Sequence, residues 1–294
     1  MAAYRPRIVE ANEELAPSGA ARRTRIGPTD RKAKLAQTSA VKAKAAKGGK
    51  QGVEQDIAPT EGRPLQIELG LVPQASGSAL LTLGNTKVQC SVHGPRAIKR
   101  SADFGDEGTL TCTVRLAPFA QYHLDGLSVR EADKRRIKFE QNLSSAVLRA
   151  IQASVRLERF PKSLLEVHVL VLNDDGGAQA ASVTCASLAL ANSGVELFDL
   201  VPCANVGIGS SSFIVDPTQE QLKGDCLGSV TLALLSASEG ISDLALNGPL
   251  GFDAAGQAVT ACYAECARVH KLMSKALVHS ASAEHISTAD LPPA

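Results

Sequence analysis

Asp174-Asp175-Gly176-Gly177 is the stretch of this chain whose residue types best suit chemistry. Two adjacent carboxylates can hold a metal ion or act as acid and base. Two glycines at a strand-to-helix turn expose backbone N–H groups, and such a helix start can attract a phosphate. The competing expectation is a plain turn whose acids cap the following helix. His93 and His168 fall on expected strands, and neither has a Ser/Asp partnership visible in the sequence. Of the seven cysteines only Cys262 and Cys266 are close, at i,i+4 spacing, and no second pair completes a zinc site. All seven read as reduced core residues of an intracellular protein, and no metal site is expected.

Periodicity supplies the elements that must position these residues. Leu65–Val72 reads as a strand, followed by a hairpin of Ala79–Leu83 and Lys87–Val92 around Gly84-Asn85, a pair that readily supplies the φ > 0 residues of a tight turn. After a polar loop (Ile98–Gly108), Thr109–Leu116 places Leu110, Cys112, Val114 and Leu116 on one strand face. A charged connection, Gln121–Lys138, leads to a helix over Ile137–Leu157, with Leu143, Val147, Ala150, Ser154 and Leu157 at helical spacing and Phe160-Pro161 as its stop.

The second half repeats the strand–turn–helix rhythm. Leu164–Leu172 is a strand, Asp174–Gly177 the turn, and Ala178–Ala191 a small-residue helix ended by Ser193-Gly194. Strands follow at Leu200–Gly207 and Ser212–Asp216, then a hairpin of Ser229–Leu235 and Ile241–Leu246. A long helix over Asp253–His279 carries a buried stripe of Ala258, Cys262, Cys266 and Val269, with a frayed tail after Ala281. Strand groups each followed by a covering helix give an α+β fold, mixed β-sheets packed against helices.

Charge divides the chain more sharply than its total of +1 suggests. Residues 1–50 carry 12 Lys/Arg against 4 Asp/Glu, and the remainder carries 19 against 26, so a basic arm of net +8 joins a body of net −7. Residues 1–60 have few large apolar side chains and read as a largely disordered extension. Two readings of that arm stand: a solvated tail, localisation signal or species-specific extension, and a tail that touches RNA. The body spans 61–280, with a tail over 281–294. No run of about 18 apolar residues exists, so no membrane partner is expected.

Four segments, in order, carry a resemblance. Gly77–Arg96 (GSALLTLGNTKVQCSVHGPR), Arg115-Leu-Ala-Pro-Phe119, Asp174–Val201, and Val215-Asp-Pro-Thr218 leading to Ser229-Val-Thr-Leu-Ala233 are together similar to the RNase PH-like family. That family comprises phosphorolytic exoribonucleases and ring subunits of the RNA exosome. The likeness covers about residues 62–280 and implies an RNase PH-like fold.

The likeness also implies where catalysis would sit. Active members hold phosphate with a Ser-Arg or Thr-Arg element just before the first long helix, and the matching place here is near Asp133-Lys-Arg-Arg136. Their catalytic Asp opens the strand that begins here at Ser229, and a serine is too weak an acid to protonate a leaving alkoxide. Active members also usually have Thr where this chain has Ala178. The implied function is a non-catalytic structural and RNA-binding ring subunit, needing no cofactor, that supports 3′-to-5′ RNA processing and decay by a separate nuclease. Its implied partners are other RNase PH-like subunits in a hetero-hexameric ring, RNA-binding cap subunits, and RNA. The implied locations are the nucleus and nucleolus, and also the cytoplasm. Arg130, Lys134, Arg135, Arg136 and Arg115 are the expected RNA contacts.

One alternative is an active phosphate-dependent exoribonuclease using Asp216 or Asp225 as acid and Lys134–Arg136 for phosphate. The other is an unrelated α+β binding protein with a polyanion-binding tail.

Overall fold

The computed structural model describes residues 62–98, 107–120, 129–209, 213–238 and 240–289. The expected N-terminal extension therefore lies outside the described residues, as do Gln121–Ser128 of the charged connection.

Two sheets form. The first runs β1 (Leu65–Leu69), β2 (Gly77–Leu83), β3 (Thr86–Ala97), β5 (Ser163–Asn173), β4 (Thr109–Leu116), and only the β4–β5 pair is parallel. The second is antiparallel, in the order β7 (Phe213–Val215), β6 (Cys203–Gly209), β8 (Cys226–Leu235), β9 (Gly240–Asn247). At the β2–β3 turn Gly84 takes φ +57 and sets Leu83 opposite Thr86. That register directs Ala79, Leu81, Leu83, Val88, Cys90 and Val92 inward together.

Helix α2 (Ala178–Asn192) lies between the sheets, packing on β2 and β3 on one side and on β6 and β8 on the other. It is buried without a break from Ala180 to Leu190, so its small residues let both sheets approach closely. Several of its polar side chains bond to neighbouring backbone: Ser187 Oγ accepts from Val201 N at 2.9 Å, Thr184 Oγ1 from Cys203 N at 3.2 Å, and the Cys185 thiol donates to Ala79 O at 3.3 Å, whereas the buried Ser182 hydroxyl has no partner among the described residues. Gly77 is needed where β2 meets the end of this helix, because a Cβ there would stand 2.4 Å from Ser193 N and 2.5 Å from Ala189 O.

Helix α1 (Val129–Gln152) follows β4 and packs on it, with Leu143, Val147 and Ala150 buried as their spacing requires. Helix α4 (Phe252–Ala289) covers the second sheet through Ala258, Cys262 and Cys266, the expected stripe. Among the described residues no helix is long and apolar enough to cross a membrane.

Several boundaries differ from expectation. α1 begins at Val129, not Ile137, so the described part of the charged connection is helix: Arg and Lys are good helix formers, and no apolar periodicity was needed to extend it. α1 also ends at Gln152, and Ser154 and Leu157 lie beyond it, Leu157 in a short 3₁₀ turn. β1 stops at Leu69, before Gly70 at φ +73. The turn Gln219–Gly224 (α3) was not anticipated, although Thr218 and Gln221 form a capping box at its start. α4 continues to Ala289 rather than fraying after Ala281.

Candidate active-site cavity

The β5–α2 turn, α1 and the second sheet together line an open cavity of about 310 Å³. Its walls are Phe139, Asn142 and Leu143 from α1, Asp174, Gly176 and Gly177 from the turn, Ala178 and Gln179 from the start of α2, Gln219 and Leu222 from α3, and Asn205, Ser229, Thr231 and Asn247 from the sheet. The sheet residues stand together because of register: Asn205 pairs with Thr231, and Ser229 pairs with both Gly207 and Asn247. Thr231 Oγ1 donates to Asn205 Oδ1 at 3.4 Å, a buried pair.

The acidic turn does not cap α2. Its N-cap is Gly177 at φ +74, with no side-chain cap. Asp174 Oδ1 instead accepts from Gly176 N at 3.0 Å and closes the turn itself. Asp175 faces the β2–β3 turn, where its Oδ2 accepts from Asn85 Nδ2 at 3.1 Å. Behind the turn, Arg63 donates from Nη2 to Gly176 O at 2.9 Å and from Nη1 to Asp175 O at 3.2 Å. Sequence inspection missed Arg63, whose partners lie more than a hundred residues away.

Ser229 is the residue of the inferred acid position that reaches the cavity. Asp225 is exposed at the C-terminal end of α3 and is not among the lining residues. Asp216 is buried elsewhere, in a narrow crevice with Leu65, Leu83, Ala181 and Val269. It adopts φ +51, a conformation that Asp tolerates better than most residues. Burial first, and then the neighbouring Glu265 carboxylate, push its carboxyl up to about 6, against the opposing charges of Arg63 and Arg268. Arg268 itself holds Glu265, with Nε donating to Oε1 at 2.9 Å and to Oε2 at 3.0 Å. Burial likewise lowers the affinity of Arg63 for its proton, and Asp216, Asp175 and Asp174 resist that.

The five expected RNA-contacting cations divide into two groups. Arg130, Lys134 and Arg135 are exposed on the first turns of α1. Arg136 and Arg115 converge on buried Glu140: Arg136 Nε donates to Oε1 at 3.2 Å and Arg115 Nη1 to Oε2 at 3.0 Å. Leu116 N also donates to Oε1, at 2.9 Å, and Arg136 donates to the Leu116 carbonyl. Burial works against the Glu140 charge, but these donors outweigh it and hold the carboxyl below its ordinary range. The Asp133–Arg136 segment is thus inside α1, not before it, and the cavity wall falls one to two turns later, at Phe139 and Asn142.

All seven cysteines are free. Burial pushes the Cys112 thiol up to about 12, so it is a thiol and not a thiolate near neutrality. His93 and His168 pack with their rings tilted by 60° and centroids 5.6 Å apart, on the outer face of the first sheet. Among the described residues no group of three His, Cys, Asp or Glu is placed to hold a metal ion.

This arrangement of a buried small-residue helix between two sheets, with a glycine turn opening on a cavity, is that of a known class. The model of the RNase PH, 3′ exoribonuclease family, domain 1, matches residues 61–196. The chain is 35% identical over 243 residues to exosome complex component MTR3 of Homo sapiens, covering 76% of this chain and 85% of that one. It is 32% identical over 222 residues to exosome complex component RRP41-like of Arabidopsis thaliana, covering 75% and 82%. The chain belongs to the RNase PH-like family. Among solved structures, rice (Oryza sativa) Rrp46 shares the fold with a TM-score of 0.62 at 18% identity, over 74% of this chain and 97% of that one. A chain of the Archaeoglobus fulgidus exosome with RNA bound to the active site does so at 0.59 and 21%, over 84% and 99%. The Asp216-Pro217-Thr218 and Arg115-Leu-Ala-Pro-Phe119 segments agree with the similarity to the MTR3 (mRNA-transport-regulator) type.

Proposed function

We propose that this chain is a non-catalytic, RNA-contacting subunit of an exosome-type ring. One observation carries the reading. Among the described residues lining the cavity there is no lysine or arginine, and the single acid, Asp174, is engaged in its own turn. Phosphorolysis must hold an anionic phosphate beside an anionic RNA and protonate a leaving oxygen. A wall of Phe139, Asn142 and Ser229 supplies neither the cation nor the acid.

The similarity to MTR3 supports membership of a hetero-hexameric ring with other RNase PH-like chains and RNA-binding cap subunits, acting in the nucleus, nucleolus and cytoplasm. In that setting Arg130, Lys134 and Arg135 are the exposed cations available to RNA phosphates, while Arg115 and Arg136 act first as partners of Glu140.

The rival, an active exoribonuclease, rests on the family's description as 3′ exoribonucleases. Labelled RNA and orthophosphate incubated with the chain, alone and with its ring partners, separate the two. The expected result is no nucleoside diphosphate attributable to this chain. Phosphate-dependent release that disappears on Asp225→Ala overturns the proposal.

A further inference from the structure

The cavity has a chemical character of its own. Five carboxamides, Asn142, Gln179, Asn205, Gln219 and Asn247, line it with Ser229 and Thr231, and Phe139 forms part of one wall. Asn205 Oδ1 accepts from Thr231, while the side chains of Asn142, Gln179, Gln219 and Asn247, exposed or half-buried, form no hydrogen bond to another described residue and are open to solvent or to a ligand. Each carboxamide offers two donors and an acceptor from one planar group. Four such groups, brought together from three helices and the edge strand β9, form a neutral surface with both hydrogen-bonding senses.

We infer that this cavity is a binding pocket for a single unpaired nucleobase, and not for phosphate. The inference rests on the reading of the chain as a silent, RNA-contacting subunit. Three features support it. Carboxamides pair with the donor–acceptor edges of bases, as Asn and Gln do with adenine, and one aromatic side chain, Phe139, half-buried against the core, borders the cavity, where an unstacked base can meet it. The volume, about 310 Å³, lies at the small end of ligand cavities, about 300–1,000 Å³. An anion is disfavoured even though the start of α2 opens here, because Asp174 already places a negative charge beside that helix end.

The rim is suited to a nucleotide's backbone. Arg135, Phe139 and Asn142 are spaced i, i+4 and i+7 along α1 and so share a face. Arg135 is exposed one turn before the wall, where a phosphate attached to a pocketed base would meet it. A base in the cavity with its phosphate at Arg135 is therefore held by neutral contacts inside and one charge outside.

The test is equilibrium binding of labelled adenosine, guanosine, cytidine and uridine, their 5′-monophosphates, and orthophosphate to the full chain co-expressed with its ring partners. At least one nucleoside should bind saturably, with an affinity that changes little with salt. Its monophosphate should bind more tightly, and Arg135→Ala should remove that increment alone. Asn142→Leu and Asn247→Leu, both at exposed positions that tolerate the change, should each weaken nucleoside binding roughly tenfold. Gln179→Trp, which fills the cavity, should abolish it. Absence of nucleoside binding at millimolar concentration, binding unaffected by these variants, or tight orthophosphate binding overturns the inference. RNA phosphorolysis in the same preparations would instead overturn the silent-subunit reading, so the two failures are distinguishable.

Discussion

Arg136 and Glu140 are joined one helical turn apart, Nε to Oε1 at 3.2 Å, with the carboxylate buried and the Leu116 N–H bonded to the same oxygen. The pair ties α1 to the end of β4, and thereby fixes the height at which Phe139 and Asn142 meet the cavity.

Glu140→Ala leaves the Leu116 N–H and the Arg136 guanidinium without their buried acceptor. It should cost about 3 kcal/mol. Arg115→Ala, which removes a largely exposed partner, should cost less than about 1 kcal/mol. Urea denaturation of the isolated chain checks both through the midpoint at unchanged slope. Equal costs would mean that the cluster is held by surface charge and not by burial.

Which parts of this arrangement were legible in the sequence follows from their range. The β2–β3 hairpin, the alternating β4 and the stripe of α4 were readable because their signals are local and periodic: Gly84-Asn85 for the turn, Leu110 to Leu116 for the strand, Ala258 to Val269 for the helix. The start of α1 was not, because Arg130, Glu131, Asp133, Lys134 and Arg135 are charged and exposed, and without an apolar stripe a helix looks like a charged loop. The cavity was legible in two parts, the Asp174–Gly177 turn from its residue types and the position of Ser229. Ser229 could be placed by resemblance, whereas Asn142, Asn205 and Asn247 are brought together by sheet register and helix height that no local pattern encodes. Arg63 was invisible for the same reason, its partners being the carbonyls of Asp175 and Gly176.

The exposed cations of α1 lead to a binding prediction. Replacing Arg130, Lys134 and Arg135 together by Ala should leave the urea midpoint nearly unchanged, since all three are exposed. RNA affinity of the assembled ring should fall to a similar degree for unrelated sequences. The slope of log affinity against log salt should become shallower by about 0.7 for each lost single-strand phosphate contact. An unchanged slope in a filter-binding salt series would remove this helix end from the RNA path.

Asp216 predicts a pH effect of unusual sign. Its carboxyl holds its proton up to about 6 when folded, against 3.8 for the unperturbed group, so between those values the folded state binds more protons than the unfolded state. Stability should therefore fall as pH rises from about 4 to about 6, and the loss should persist above it, amounting to about 3 kcal/mol from this group. Asp216→Asn keeps a side chain tolerant of φ +51 and removes the charge. It should raise the melting temperature at pH 8 by more than at pH 4. An equal change at both values would show that the carboxylate is not paying a burial cost.

Gly77 offers a test of the packing between β2 and α2. Gly77→Ala would place a Cβ against the backbone at Ser193 and Ala189, and backbone cannot yield as a flexible side chain can. The variant should be destabilised by about 3 kcal/mol or fail to fold. Gly224→Ala, where a Cβ would meet nothing within 4 Å, serves as the control and should change stability by about 0.5 kcal/mol or less. Thermal melts of the two side by side decide it. A mild effect at Gly77 would mean that the end of α2 can draw back from the sheet.

Ser229→Asp separates the missing acid from the missing cation. The substitution puts a carboxyl group into the cavity at the position that the resemblance assigns to the acid of active members, yet the wall still offers Phe139 and Asn142 to an incoming phosphate. A carboxylate added to a cavity that already holds Asp174 makes orthophosphate less welcome, not more, because like charges in a partly desolvated site repel strongly. Ser229→Asp alone should therefore release no nucleoside diphosphate from labelled RNA in the assembled ring. Pairing it with Asn142→Arg supplies a cation on the opposite wall, and this double variant should bind orthophosphate measurably while Ser229→Asp alone does not. Phosphorolysis by Ser229→Asp alone would show that the neutral wall is no obstacle to phosphate, and would remove the argument on which the proposed non-catalytic role rests.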